Sequence, residues 1–385
     1  MDAPHRYPVG VQVFEDIRTM GYLYVDKTAY LHRMVTEGGR YYFLSRPRRF
    51  GKTLLVSTME AYFQGRRELF RGLDIDTLEP GEWRRSPVLR FDMSTVKTMT
   101  VEGLRAALDA ILRGLGRTWG GDDPAAPYSA RIGGLVRRAR ESAGGERAVV
   151  LVDEYDAPAL NALHDPELLR RFCEVMREFY APLKSLEGDL RFCFLTGISK
   201  FSQLSIFSEL NNLQNVSMLP QYAGICGITA EELDRDLGPD VAFLAGRLGV
   251  GEADCRGALR ERYDGYHFSA VSPDVYNPFS LVTAFNTGEL GSHWFSSGTP
   301  TALVNMLRTH DIAVPDLEGV VASERSFDAP TESMGDPVAF MYQSGYLTIK
   351  GYDPRFRAYT LGIPNAEVAE GLYGALLPAA LNVTR

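Results

Sequence analysis

The stretch "SRPRRFGKT" (residues 45–53) closes on Gly51, Lys52 and Thr53, the second half of the phosphate-binding pattern G-x-x-x-x-G-K-[ST]. In such a loop successive backbone N–H groups wrap a polyphosphate at a helix N-terminus, the lysine reaches the outer phosphates, and the threonine hydroxyl ligates Mg²⁺. Arg46 stands where the pattern has its first glycine. A glycine there supplies positive φ and lets the backbone approach phosphate without a Cβ in the way, so Arg46 must take a tamer conformation. Its charge offers a compensation, because Arg46, Arg48 and Arg49 are forked donors suited to phosphate oxygens. The competing reading makes these arginines a structural anchor, paired with carboxylates elsewhere.

A second element decides between phosphate chemistries. In "RAVVLVDEYD" four apolar residues, Val149 to Val152, lead into Asp153 and Glu154, whose side chains leave a strand on opposite sides. Asp153 can complete a Mg²⁺ shell with Thr53, and Glu154 can polarise an attacking water, the division of labour that hydrolysis requires. Asp156 reads as a cap or a supporting partner. A third element follows "RFCFL", where Thr196, Ser199 and Lys200 sit at a strand tip, the edge where open α/β sheets bind ligands. One of them can sense a terminal phosphate, and all can equally be turn residues capping the next helix. The six histidines show no zinc spacing and no G-x-S-x-G elbow is present.

These groups need elements to hold them. Short apolar runs at 41–45, 88–92, 148–154, 191–196 and 215–219 read as buried strands. Helical spacing lies between them, clearest over 101–115, where Val101, Leu104, Leu108, Ile111, Leu112 and Leu115 share one face. Alternating strands and helices predict a parallel sheet of about five strands covered on both faces. Near residue 228 the pattern changes to successive helices, opened by the capping box Thr229 to Glu232. "GYLTIKGYDPRFRAYTLGIPN" then reads as two strands around a turn, followed by a helix. We expect a first domain over 1–227 and a helical, winged-helix-like lid over 228–385.

With 385 residues, 45% hydrophobic and 23% charged, the chain has the composition of an ordinary globular protein. Its formal net charge of -8 argues against bulk coating of nucleic acid, and leaves the basic helical face "RIGGLVRRAR" (131–140) as the contact candidate. Cys173, Cys193, Cys226 and Cys255 have neither zinc nor disulfide spacing. With no secretory leader and no membrane-length apolar run, the expected location is the cytoplasm.

Read together, "YVDKTAYL", "FLSRPRRFGKTLLVSTMEAYFQG", "ELFRGLDI", "VLVDEYDAP", "LTGISKFSQLSIFSELNNL", "VYNPFSL", "GYLTIK" and "LGIPNAEV" resemble the AAA-ATPase-like P-loop proteins of bacteria and archaea, whose typical members carry a PD-(D/E)XK nuclease-like domain after the ATPase. The resemblance covers about Tyr7 to Leu377 in unbroken order. It implies that arginine at position 46 is a family trait. It also implies a sheet of the additional-strand catalytic-glutamate class, with the sensor strand between the P-loop strand and the strand ending in Asp153. It places ATP on Arg46, Pro47, Arg48, Arg49, Phe50, Gly51, Lys52 and Thr53, Mg²⁺ on Thr53 and Asp153, catalysis on Glu154 with Lys52, and sensing near Thr196. Asp26 and Lys27 would lie toward the adenine. The chain contains no E-x-K or D-x-K triplet, so cleavage by the nuclease-like domain of longer relatives is not carried over.

Three functions follow as expectations. The first is an ATP-binding protein whose hydrolysis moves the lid domain. The second is a nucleotide-dependent interaction module with little turnover, acting on a protein partner or in a homo-oligomer. A P-loop kinase comes last, since no acceptor-binding lid is recognisable. Arg260 and Arg262 are candidates for an arginine supplied to a neighbouring site.

Overall fold

A computed structural model describes residues 3–199, 213–295, 307, 312–323 and 337–380, the side chains as far as 375. Helices α1 (Phe14–Thr19) and α2 (Thr28–Thr36) precede β1 (Tyr41–Ser45), α3 (Lys52–Phe63), α4 (Asp74–Leu78), β2 (Val88–Asp92), α5 (Val101–Trp119), α6 (Tyr128–Ser142) and β3 (Ala148–Asp153). Then come α7 (Ala157–Asn161), α8 (Pro166–Tyr180), α9 (Pro182–Ser185), β4 (Leu190–Gly197) and β5 (Leu213–Asn215). The remaining chain supplies β6 (Ile228–Thr229), α10 (Ala230–Asp236), α11 (Gly238–Leu248), α12 (Glu252–Tyr263), β7 (Val275–Tyr276) and α13 (Pro278–Thr287). It closes with β8 (Val320–Ser323), α14 (Pro337–Ser344), β9 (Thr348–Asp353), β10 (Ala358–Gly362) and α15 (Ala366–Ala380).

The five strands β1 to β5 form one parallel sheet in the order β2-β3-β4-β1-β5. Strand β3 is buried along its whole length and β1 over all but its last residue, which is why both read as unbroken apolar runs. Because β4 lies between β1 and β3, the loop after β1 and the acidic tip of β3 open at the same edge, with the end of β4 between them. The expected strand at 215–219 is displaced: residue pairing with β1 ends at Asn215, and the chain turns at Ser217 and Met218.

Local chemistry fixes the helix ends. Thr100 accepts from Gly103 N at 3.1 Å at the start of α5, and Gly120, at φ 86°, closes it. The capping box at α10 is present as read, with the Thr229 hydroxyl on Glu232 N and the Glu232 carboxylate on Thr229 N. Asn277 caps α13, with Pro278 in its first turn.

The two-stranded hairpin expected near the C-terminus gains a third member: β8, β10 and β9 pair antiparallel, in that order. One buried cluster takes in side chains from both sides of residue 228, Phe14, Phe43 and Phe194 together with Tyr266, Trp294, Met341 and Leu361. A second gathers α10 to α13 around Leu244 and Leu259, with Tyr7 and Leu23 from the N-terminal segment. The four cysteines are buried and form no disulfide with one another. Among the described residues, no helix is long and apolar enough to cross a membrane.

Candidate functional site

The turn from β1 into α3 is built by two residues in the left-handed region. Arg49 has φ 65° and Gly51 φ 90°, and Gly51 hands the chain to α3, whose first N–H groups lack intrahelical partners. Arg46 keeps a negative φ, so the residue in the place of the missing glycine carries no left-handed conformation, and Arg49 holds one instead. A side-chain-bearing residue in that region is sparsely populated and is held there by its surroundings. Here the guanidinium of Arg49 lies 4.1 Å from the Phe279 ring centre.

Arg46 faces away from the loop's mouth. Its side chain is fully buried, lies 4.1 Å from the Phe268 ring centre, and donates to the carbonyls of Ser45 (2.9 Å), Ser217 (2.8 Å), Tyr222 (3.1 Å) and Ala223 (3.4 Å). The expected phosphate donor is thus an anchor, and its partners are main-chain carbonyls in place of the carboxylates that reading supposed. Pro47 also stands off the cavity, against Gly345, where a Cβ would come within 2.7 Å of the Pro47 ring. Phe50 is buried edge-to-face against Tyr266 and Phe268, with centroids 4.8 and 5.6 Å away.

Arg48 through Thr53 line a cavity of about 760 Å³ together with Glu154 and Asp156, within the range of small-molecule sites. Lys52 is buried, its Nζ donating to the carbonyls of Arg46 (3.0 Å) and Pro47 (2.9 Å). Burial pulls its pKa down, and the charges of Glu154, Asp156 and Asp153 oppose that pull.

At the tip of β3 the two acids part company, as strand geometry requires. Glu154 lines the cavity with its backbone in the left-handed region, φ 51°. Asp153 is fully buried beside it. Burial pushes both carboxyls up; Lys52 opposes this at each, with Thr53 and Arg90 also opposing it at Asp153 and Arg48 at Glu154. Asp153 Oδ2 lies 3.6 Å from Arg90, whereas Oδ1 is buried with no hydrogen-bond partner. An orphaned carboxylate oxygen next to the Thr53 hydroxyl fits a hard cation. Among the described residues no group of three or more His, Cys, Asp or Glu could hold a metal ion; Mg²⁺ is usually bound by few protein oxygens, its shell completed by phosphates and water.

Asp156 braces this edge. Its carboxylate accepts from Ile198 N (3.1 Å), Ser199 N (2.7 Å) and the Ser199 hydroxyl (2.7 Å), tying β3 to the end of β4. Gly197 makes room for it, since a Cβ there would sit 2.3 Å from Asp156 Oδ1. Thr196, the expected sensor, is buried with its hydroxyl donated to the Leu44 carbonyl at 2.8 Å; that bond joins β4 to β1, and Ile198 reaches the cavity where Thr196 does not. Lys200 lies outside the described residues.

The remaining expectations separate. Lys27 lines the cavity and is bound to both Glu232 oxygens at 2.6 Å and to the Gly224 carbonyl at 2.8 Å. Asp26 accepts from Thr28 N and Asp74 N at the starts of α2 and α4. Arg262 pairs with Glu370 at 2.5 Å, and neither it nor Arg260 reaches the cavity. On the basic face of α6, Arg131 is buried against Asp122 (2.7 Å) and Asp109, and Arg140 pairs with Asp189, so the two ends of that face are neutralised within the chain.

The sequence reading missed the far wall: Pro8 to Gln12 of the N-terminal segment, Cys226, Phe279 and Trp294. Only Phe279 carried a signal, as part of "VYNPFSL".

Loop, acidic tip and five-stranded parallel sheet define an α/β protein of the P-loop, AAA-like kind. A family model described as Predicted AAA-ATPase matches residues 8–207. A protein described as "Uncharacterized protein in vnfD 5'region", from Azotobacter chroococcum mcd 1, is 38% identical over 379 residues, covering 97% of this chain and 70% of the relative. The chain belongs to the predicted AAA-ATPase family.

Proposed function

We propose that the chain binds ATP with Mg²⁺ in the cavity at Lys52 and hydrolyses it, using the cycle to shift the C-terminal part against the sheet. The observation that carries this reading is that Lys52, Thr53 and Glu154, drawn from two strand ends, line one cavity, while Asp153 keeps an unpartnered oxygen beside them. The strand order, with β4 between β1 and β3, supports assignment to the additional-strand catalytic-glutamate class. The antiparallel β8-β10-β9 sheet, with α14 preceding β9 and α15 following β10 along the chain, supports a winged-helix reading of the C-terminal part.

In this mechanism the N–H groups at the start of α3 and the Lys52 ammonium would hold the phosphates, and Thr53 and Asp153 would hold the cation. The cation, when bound, neutralises charge developing on the phosphate oxygens. Glu154, raised toward neutrality by burial, accepts a proton from water more readily than an exposed carboxylate would. Asp156, through Ser199 and Ile198, positions the strand tips.

A second reading, a nucleotide-dependent interaction module with little turnover, draws on the contacts of Phe279 and Trp294 with the loop, which would report an occupied site to the C-terminal part without chemistry. Phosphate release and labelled-ATP binding for the wild type, Lys52→Ala and Glu154→Gln separate the two. Hydrolysis requires that Glu154→Gln keep its affinity and lose turnover by about 10²-fold or more, and that Lys52→Ala lose binding. Equal basal release in all three leaves the module, and release that depends on an added acceptor points to a kinase.

A further inference from the structure

The parallel sheet has a second edge, opposite the cavity. Arg40 immediately precedes β1, Arg147 immediately precedes β3, Arg191 is the second residue of β4, and Arg84 lies in the segment leading into β2. Parallel pairing brings all four to the N-terminal ends of the strands, and Arg140 joins them from the last turn of α6. With Gly145 these five arginines line a depression of about 520 Å³. Arg84 is paired with Glu146 and Arg140 with Asp189. Arg40 donates to the Glu187 carbonyl, and Arg191 to the Arg84 carbonyl and the Ser86 hydroxyl. Among the described residues, Arg40, Arg147 and Arg191 form no ion pair.

Five guanidinium groups, two of them ion-paired, form a concentrated positive basin on a chain whose net charge is -8. Such a basin wants an anion with several charged groups. Guanidinium matches phosphate oxygens in a bidentate fork, and phosphate contacts position a protein on nucleic acid without reading sequence. The lining has no aromatic side chain on which an unpaired base could stack, as single-strand sites require, and no apolar anchor of the kind that carries protein interfaces. We propose that this basin is a sequence-independent contact site for the phosphate backbone of a nucleic-acid duplex. The inference does not rest on the nucleotide reading, since the two sites occupy opposite edges of the sheet.

The test uses the full chain, without nucleotide, titrated into a short labelled DNA duplex over a series of salt concentrations. Arg40→Ala/Arg147→Ala is compared with wild type; Arg191, which packs 5.1 Å from the Phe63 ring centre, is left in place to protect the fold, and matching melting curves confirm it. Wild type should bind at low salt, and the slope of log affinity against log salt should shrink by about 0.9 for each arginine removed. Identical affinity and slope in the two proteins would overturn the proposal. So would absence of duplex binding at low salt, tighter binding of the single strand, or competition by polyglutamate as effective as that by unlabelled duplex.

Discussion

The indole Nε1 of Trp294 donates to the carbonyl oxygen of Arg48 at 3.2 Å, across 246 positions of sequence. With Arg49 over Phe279 and Phe50 among Tyr266 and Phe268, this bond means that three consecutive loop residues are held by the C-terminal half of the chain. The shape of the loop is therefore a tertiary property, set by groups far outside the motif.

Trp294→Phe keeps an aromatic ring and removes the donor. We expect a loss of about 1 kcal/mol in unfolding free energy, read by urea denaturation, and ATP binding weakened by roughly fivefold if that energy is spent on loop geometry. A drop in stability with unchanged affinity would reduce the clasp to a packing role.

Arg46→Gly restores the glycine of the general pattern, yet it should harm the protein. It removes a buried cation's bonds to the carbonyls of Ser45, Ser217, Tyr222 and Ala223, each charge-assisted bond being worth about 1.5–3 kcal/mol. Arg46→Lys should fail to rescue it, because an ammonium lacks the planar fork that spans several carbonyls. A glycine variant that unfolds at wild-type urea concentration and binds ATP more tightly would refute the anchor.

Asp264 gives a pH-dependent expectation. It is buried, its Oδ1 has no partner, and burial pushes its carboxyl from 3.8 to about 6. Between those values the unfolded chain releases this proton first, so the group's contribution to stability falls as pH rises and reaches its full cost above about pH 6. Asp264→Asn carries no such cost. Its advantage over wild type should be absent near pH 4 and complete above about pH 6, on the order of 1–3 kcal/mol, measured by thermal or urea melts across that range. An advantage independent of pH would show that the charge is not its source.

Much of the frame was legible because burial on both faces of a sheet forces long apolar runs: β1 and β2 fall on the residues read, 41–45 and 88–92, and β3 and β4 within a residue or so at their ends. Strand β5 was misplaced because the pairing residues Leu213–Asn215 are polar or half-exposed, whereas the apolar Val216 and Met218 that drew attention lie beyond the strand's end. Strand β8 escaped notice because it is four residues long with Val321 exposed. That Lys52, Thr53 and Glu154 come together at one cavity was readable from residue type and spacing. The roles of Arg46 and Trp294 were not, since both are decided by bonds to main-chain carbonyls, and a carbonyl leaves no mark on composition.

Glu232 shows what such economy implies. Its carboxylate both starts α10 and neutralises the buried Lys27 ammonium. The N-terminal segment and this helix are consequently riveted, with no hinge between them: parting them would strand an ion and uncap a helix in the same movement, so any sliding of the C-terminal part must find its pivot elsewhere along the chain.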